Sequence, residues 1–360
     1  MPFNRQTYFD IISGKRTDFF AKIGRGILSV MEIPYATVIS CRNLLYDNGL
    51  RKIQKLPIPV ISVGNLTMGG TGKTPFVAWL AKKIWDSGKF PAIVSRGYHA
   101  DSTGWNDEAK ELQLLLPHVP QAFAKKRFTA AVSLIEQHKN NSDFREIDLV
   151  ILDDGFQHRK IFRNLEILLI DATNPFGYNR AIPRGFLRES VFSLKRADVV
   201  ILTRAGLVDI AEQNRIREQV LQINPNAFWG EIDQKPKNLL FCSGETKDFS
   251  DIKEEKILGF CGIGNPDSFR KTLESCGCWI QKFVTFPDHH HYSDNDVQHI
   301  LNLSQVVDSQ YAVCTLKDFV KVKERIAENT NICALTIETE SFPLGEKNSL
   351  WDFLYDKIKF

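Results

Sequence analysis

A chain of 360 residues with 43% hydrophobic and 25% charged residues has the composition of a folded globular protein, long enough for two cores, and excludes the disordered and fibrous classes. The formal net charge of +3 carries no nucleic-acid signal, and no Lys/Arg block of the kind that tracks a phosphate backbone occurs. Seven cysteines (Cys41, Cys242, Cys261, Cys276, Cys278, Cys314 and Cys333), odd in number and without a C-x-x-C pair, indicate neither a disulfide framework nor a zinc ribbon and fit a reducing compartment.

Residues 1–55 predict an amphipathic helical segment in which Phe19, Phe20, Ile23, Ile27, Leu28, Val30 and Met31 stand among Lys15, Arg16, Lys22 and Arg25. Such a face suits either packing on a core or seating in a membrane interface, and periodicity leaves both open. No basic stretch leads an apolar core at the N-terminus, so no secretory signal is expected. The stretch 26–41 is interrupted by Glu32 and Pro34 and falls short of the ~20 apolar residues that span a bilayer.

An apolar, β-branched run at 58–63 predicts a buried parallel strand. Thr67, Met68, Gly69, Gly70, Thr71, Gly72, Lys73 and Thr74 follow as a glycine-rich turn, and Pro75 starts a helix over 75–85. A strand feeding such a turn presents backbone N–H groups to anionic oxygen. Lys73 is placed to reach β- and γ-phosphates and Thr74 to offer its hydroxyl to Mg²⁺. The usual G-x-x-x-x-G-K-[ST] spacing is missed at one position, where Thr67 replaces glycine.

Strands at 92–95, 148–152, 165–170 and 198–202, with helices near 128–138 and 210–223, continue the alternation. A polar stretch over 232–255 reads as a connector, after which strands at 257–261, 280–286, 311–315 and 332–337 form a second α/β run. The expected architecture is α/β: a P-loop NTPase-like, mostly parallel sheet with a second, smaller α/β domain and an N-terminal amphipathic helix. The expected boundaries are 1–55 at a membrane interface, 56–235 for nucleotide binding, 236–256 as connector and 257–360 as the C-terminal domain.

Ligands in such sheets sit beyond the carboxyl ends of strands. The strand at 148–152 runs into Asp153 and Asp154, then Gly155-Phe-Gln157-His158, and paired acids there suit Mg²⁺. Arg96 and Tyr98 follow another strand, and Asp107 lies in the polar loop beyond. Arg184 and Arg188 suit bidentate contact with phosphate, or a surface salt bridge. Asp288 precedes His289, His290 and His291; adjacent imidazoles in an extended chain point to opposite faces, so one histidine oriented by Asp288 for proton transfer is the economical reading.

Taken together, these motifs resemble the tetraacyldisaccharide 4′-kinase family over nearly the whole chain. The resemblance rests on Val63-Gly-Asn-Leu-Thr-Met-Gly-Gly-Thr-Gly-Lys-Thr-Pro75, Ser95-Arg-Gly-Tyr98, Asp153-Asp-Gly-Phe-Gln-His158, Pro183-Arg-Gly-Phe-Leu-Arg-Glu189, Gly262-Ile-Gly-Asn-Pro266, Phe286-Pro-Asp-His289 and Thr315-Leu-Lys-Asp318, in the family's order. It implies ATP-dependent phosphorylation of the acylated glucosamine disaccharide precursor of lipid A, with Asp107 and His289 acting with Lys73 in catalysis. It further implies that Asp153, Asp154 and Thr74 serve Mg²⁺, that Arg188 contacts phosphate, and that Arg96, Tyr98, Gln157 and His158 belong to the substrate side. The N-terminal helix would seat the enzyme peripherally on the cytoplasmic face of the inner membrane, with no nucleic acid and no obligate protein partner.

Two departures from the family's pattern are Asn106-Asp-Glu-Ala109 in place of Gly-Asp-Glu-Pro and Leu316 in place of the glutamate of Thr-Glu-Lys-Asp. One rival reading is a nucleotide-driven metal-delivery switch that uses His289 to His291, although no Asn-Lys-x-Asp guanine-reading motif follows the strand at 198–202. A membrane adaptor without chemistry is another, and it would need Asp107 and His289 to be dispensable.

Overall fold

The computed structural model describes residues 5–97, 107–328, 330–342 and 350–357. The chain opens with helices α1 (Arg5–Ile12) and α2 (Phe19–Asp47), then runs β1 (Val60–Asn65), α3 (Lys73–Asp86), β2 (Pro91–Ser95), α4 (Asp107–Leu115), β3 (Gln121–Phe123) and α5 (Arg127–Asn140). It continues through β4 (Leu149–Asp153), β5 (Leu165–Asp171), β6 (Val199–Thr203), α6 (Ile210–Ile223), β7 (Phe228–Phe241) and β8 (Thr246–Asp248). The remainder is β9 (Lys256–Cys261), α7 (Pro266–Ser275), β10 (Trp279–Thr285), α8 (Asp294–Val306), β11 (Tyr311–Thr315), α9 (Leu316–Val322), β12 (Ile332–Ser341) and α10 (Leu350–Lys357).

These elements form two compact units. The first holds α1 to α3, α5, α6, α10, β1 to β6 and the start of β7. Its strands pair in parallel in the order β7-β6-β5-β1-β4-β2-β3. β1 is buried along its whole length, as a central strand covered on both faces must be. Ala131 and Ile135 of α5 pack with Val60, Ala92 and Val150 on one face, and Ile216 and Val220 of α6 pack with Leu168 and Val200 on the other.

The second unit holds α4, the end of β7, β8 to β11, most of β12, and α7 to α9. β10, β9, β11 and β12 are parallel, and the alternation along β9 explains its unbroken apolar run. Ile257 and Cys261 pack with Phe269 and Leu273 of α7, while Leu258 and Phe260 pack with Val297 and Ile300 of α8 and Phe319 of α9. Each such buried side chain contributes about 1.5–3 kcal/mol.

Four expectations change. The described part of the segment expected over 1–55 holds two helices rather than one, because Asp18 accepts a hydrogen bond from the N–H of Ala21 and so starts α2 afresh. The stretch expected as connector begins inside β7 and contains β8; its polar residues alternate with buried ones along a half-covered strand. Asp107, expected in a loop of the first domain, opens α4, which belongs to the second unit because Leu114 and Leu115 pack into the core of Phe260 and Phe319. Conversely, α10 joins the first unit through buried Leu350 and Leu354 and the stacking of Phe353 on Phe228.

Candidate active site

At the carboxyl end of β1 the chain enters the glycine-rich loop, and α3 begins at Lys73 with Gly72 as its N-cap at φ +77°. That left-handed angle favours glycine and lets the loop turn into the helix. Hydrogen bonds fix the loop: Asn65 Nδ2 donates to Thr67 O (2.7 Å), Met68 N to Phe186 O (2.7 Å), Arg188 N to Leu66 O (2.7 Å) and Thr203 Oγ1 to Thr71 O (3.0 Å). Thr67 and Thr71 are buried, whereas Met68, Gly69 and Gly70 face solvent. Lys73 extends back so that its Nζ lies 3.2 Å from Asn65 Oδ1 and 3.7 Å from Asp154 Oδ1. Thr74 is the second residue of α3.

β4 pairs with β1 so that Asp153 stands beside Val63, its side chain buried. The next residue, Asp154, is left-handed at φ +48°, a position that a non-glycine residue holds only when its surroundings enforce it. The enforcement is visible. Arg188 Nη1 reaches Asp154 Oδ1 at 2.8 Å, Arg127 Nη1 donates to the Asp154 carbonyl at 3.0 Å, and Arg163 donates to the carbonyls of Gly155 and His158 at 3.1 and 2.6 Å. The turn is also pressed onto β1, since a Cβ on Gly155 would lie 2.3 Å from Ser62 Oγ and one on Gly64 2.5 Å from Phe156 Cβ. Only glycine fits either place.

Burial opposes the charge on Asp154, but Lys73, Arg188 and Arg127 outweigh it and hold the carboxyl below the ordinary range. Burial, reinforced by Arg127 and Arg163, pushes the His158 imidazole down to about 4, so it is neutral near pH 7. Gln157 Nε2 donates to Asn65 O at 2.9 Å, tying the acid-bearing turn to the loop. Arg96 is exposed after β2 and adds positive charge beside Arg127 and His158. Tyr98 lies outside the described residues. Of the two arginines suited to phosphate, Arg188 faces Asp154, whereas Arg184 donates to Ile12 O and serves packing.

In the second unit Asp107 starts α4, where its charge suits the helix N-terminus. His289 is left-handed at φ +61°, pinned by its N–H to Gly262 O (3.1 Å). Its Nδ1 lies 3.3 Å from Asp107 Oδ2, and Lys317 Nζ lies 3.3 Å from its Nε2. A lysine ammonium only donates, so Nε2 accepts and Nδ1–H donates to Asp107. A carboxylate that meets the His289 ring is thus Asp107, from a different element. Burial and the charge of Glu108 push Glu111, one turn along α4, up to about 8 against the pull of Lys317, so it stays protonated near pH 7.

Among the described residues the histidine run forms no metal-ligating cluster. His290 stacks on Phe286 and lies 3.2 Å from Asp296, and among the described residues no three metal-ligating side chains of the His, Cys, Asp and Glu types come together. Sequence reasoning missed Arg127, which sits in the basic run Lys125-Lys126-Arg127 yet is 2% exposed, and Lys321 on α9, and it met Lys317 only inside the Thr315-Leu-Lys-Asp318 motif. Glu189 was visible only as part of a motif. It is buried and takes Arg42 and Arg196 at 3.0 Å each, which ties α2 to the residue after Arg188.

A glycine-rich turn between a buried parallel strand and a helix, with paired acids at the end of the adjoining strand, defines a P-loop nucleotide-binding protein of the α/β class. The family model of tetraacyldisaccharide-1-P 4′-kinase (LpxK) matches residues 25–359. The chain belongs to that family, a family of kinases. It is 35% identical to the tetraacyldisaccharide 4′-kinase of Halothermothrix orenii, covering 88% of this chain and 89% of that protein. It is 31% identical to that of Bdellovibrio bacteriovorus, covering 93% and 100%. The crystal structure of "apo" form LpxK from Aquifex aeolicus in complex with ATP matches at a TM-score of 0.73 and 30% identity, over 93% of this chain and 99% of that one.

Proposed function

We propose that this chain moves the γ-phosphoryl group of ATP to the 4′-hydroxyl of a tetraacylated glucosamine disaccharide 1-phosphate, the precursor of lipid A. The observation that carries the reading is the cationic cradle at the end of the glycine-rich turn: Lys73, Arg188 and Arg127 are held around the Asp154 turn. Such a cradle spreads the charge of a loose phosphoryl transition state without reorganising. The donor set near Lys73 is all oxygen, the Thr74 hydroxyl and the carboxylates of Asp153 and Asp154, which suits Mg²⁺. Thr74, Asp153 and Asp154 are the residues that would hold the ion, with Asp154 also engaged by Arg188 and Lys73. Held there, such an ion would offset the negative charge of the phosphates.

Asp107 takes the proton of the attacking hydroxyl, and His289 orients it through Nδ1–H. Arg96, Gln157 and His158 lie on the acceptor side. The exposed stripe of α2 (Phe19, Phe20, Ile23, Ile27, Val30, Met31 and Val38) seats the enzyme at the cytoplasmic face of the membrane that carries its acceptor. Among the described residues no helix is long and apolar enough to cross a membrane. The test is to incubate purified protein with labelled ATP, Mg²⁺ and detergent-dispersed tetraacyldisaccharide 1-phosphate. Label is expected on the lipid; label found only in free phosphate would refute the reading.

A further inference from the structure

Lys317 and Lys321 stand one turn apart on α9, whose start is fixed by Thr315 Oγ1 accepting from Asp318 N and donating to Asp318 Oδ2. Like charges at this spacing oppose a helix, so helix stability does not explain the pair. Lysine usually extends its ammonium toward water. Lys321 does the reverse: its side chain is 8% exposed, its Nζ is buried, and it ends 3.0 Å from Asp107 Oδ2. The His289 ring meets that same oxygen at 3.3 Å. The Asp107 carboxylate meets Lys321 and His289, and Glu111, one turn along the same helix, feels Glu108, Lys317, Asp107 and Asp318.

We propose that Lys321 is a positioning residue for phosphoryl transfer. Its ammonium and the His289 imidazole anchor Oδ2, fix the rotation of the Asp107 carboxylate, and turn Oδ1 toward the acceptor. This rests on the reading of Asp107 as the base. The hydroxyl proton passes to Asp107, the hydroxyl oxygen bonds to the γ-phosphorus, the bond from that phosphorus to the β–γ bridging oxygen breaks, and ADP leaves. A carboxylate free to rotate would spend most of its time out of line, and misplacement by an ångström costs up to ~10²-fold in rate.

The experiment compares Lys321→Met and Lys321→Arg in the full chain, with ATP, Mg²⁺ and detergent-dispersed acceptor. Lys321→Met is expected to lower kcat by ~10- to 100-fold while leaving the KM for ATP within about twofold, and Lys321→Arg to recover most of the loss. In an Asp107→Asn background, Lys321→Met is expected to cost nothing further, because the group it positions is gone. Should the Met variant fail to fold in a thermal melt, Lys321→Gln carries the same comparison. Wild-type kcat in the neutral variants, or an equal further loss in the double variant, overturns the proposal and leaves Asp107 as base; undiminished turnover of Asp107→Asn alone overturns that reading instead.

Discussion

Asp154 and Asp107 are both partly exposed carboxylates beside lysines, yet they are built for opposite work. Asp154 sits on a strained turn with Lys73 and Arg188 on its side chain and Arg127 on its carbonyl, and these cations hold its carboxyl below the ordinary range. A carboxylate so balanced is a poor proton acceptor; on the function proposed above it holds three cations in register for an anion larger than itself. Asp107 meets its partners through one oxygen, one of them the largely exposed imidazole of His289. The difference teaches that position beside a lysine does not assign a role; the number of cations and the geometry of their contact do.

The sharpest way to break this comparison is to neutralise one member of each set. Asp107→Asn is expected to lower kcat by ~10²- to 10⁴-fold, the range of a general base, with ATP affinity largely intact. Lys73→Met is expected instead to weaken ATP binding together with turnover, because its charge serves the nucleotide in both ground and transition states. Steady-state kinetics with nucleotide-binding isotherms separate the two. Equal loss of ATP affinity in both variants would erase the distinction.

A smaller effect sharpens the same contrast through pH. His158, beside the cationic turn, is pushed from 6.5 to about 4, so the stability of its neutral form is complete above pH 6.5 and is lost as pH falls toward 4. Glu111, beside Asp107, is pushed from 4.5 to about 8, so its contribution is complete below pH 4.5 and is lost as pH rises through 8. His158→Asn should flatten the fall in melting temperature between pH 6.5 and 4, and Glu111→Gln the fall between pH 4.5 and 8, the latter effect being the larger. Parallel profiles for wild type and both variants would show that neither environment perturbs its group.

The nucleotide side was legible in the sequence because its signals are local. The β1 run, the glycines, Lys73, Thr74 and the acid pair lie within two short stretches, each dictated by neighbouring residues. The rest depends on contacts between distant positions. Arg127 reads as part of a solvated basic run and becomes buried only because α5 brings it onto the Asp154 carbonyl. Lys321 reads as one charge among Lys317, Lys323, Glu324 and Arg325, and only the packing of α4 on α9 turns it to Asp107. The same packing moved Asp107 out of the nucleotide unit, where its place between β2 and β3 had put it.

The smallest expected effect concerns α2, whose two faces repeat the theme without charge. One face carries Tyr35, whose hydroxyl donates to Arg188 O at 3.0 Å, and Arg42 and Asn43, which hold Glu189; that face is anchored to the fold. The opposite stripe leaves Phe19 71% and Phe20 77% exposed, with Ile23 also exposed. Replacing Phe19, Phe20 and Ile23 with serine removes apolar area that is already in water, so folding stability should change by no more than ~0.5 kcal/mol per site. Turnover with detergent-dispersed acceptor should hold as well, since the anchored face is untouched. Co-sedimentation with anionic phospholipid vesicles should fall sharply, because burial of those rings in the interface drives binding at ~25 cal/mol per Å². Unchanged sedimentation with an unchanged melt would detach the stripe from the membrane and leave α2 as a brace for Arg188 and Glu189 alone.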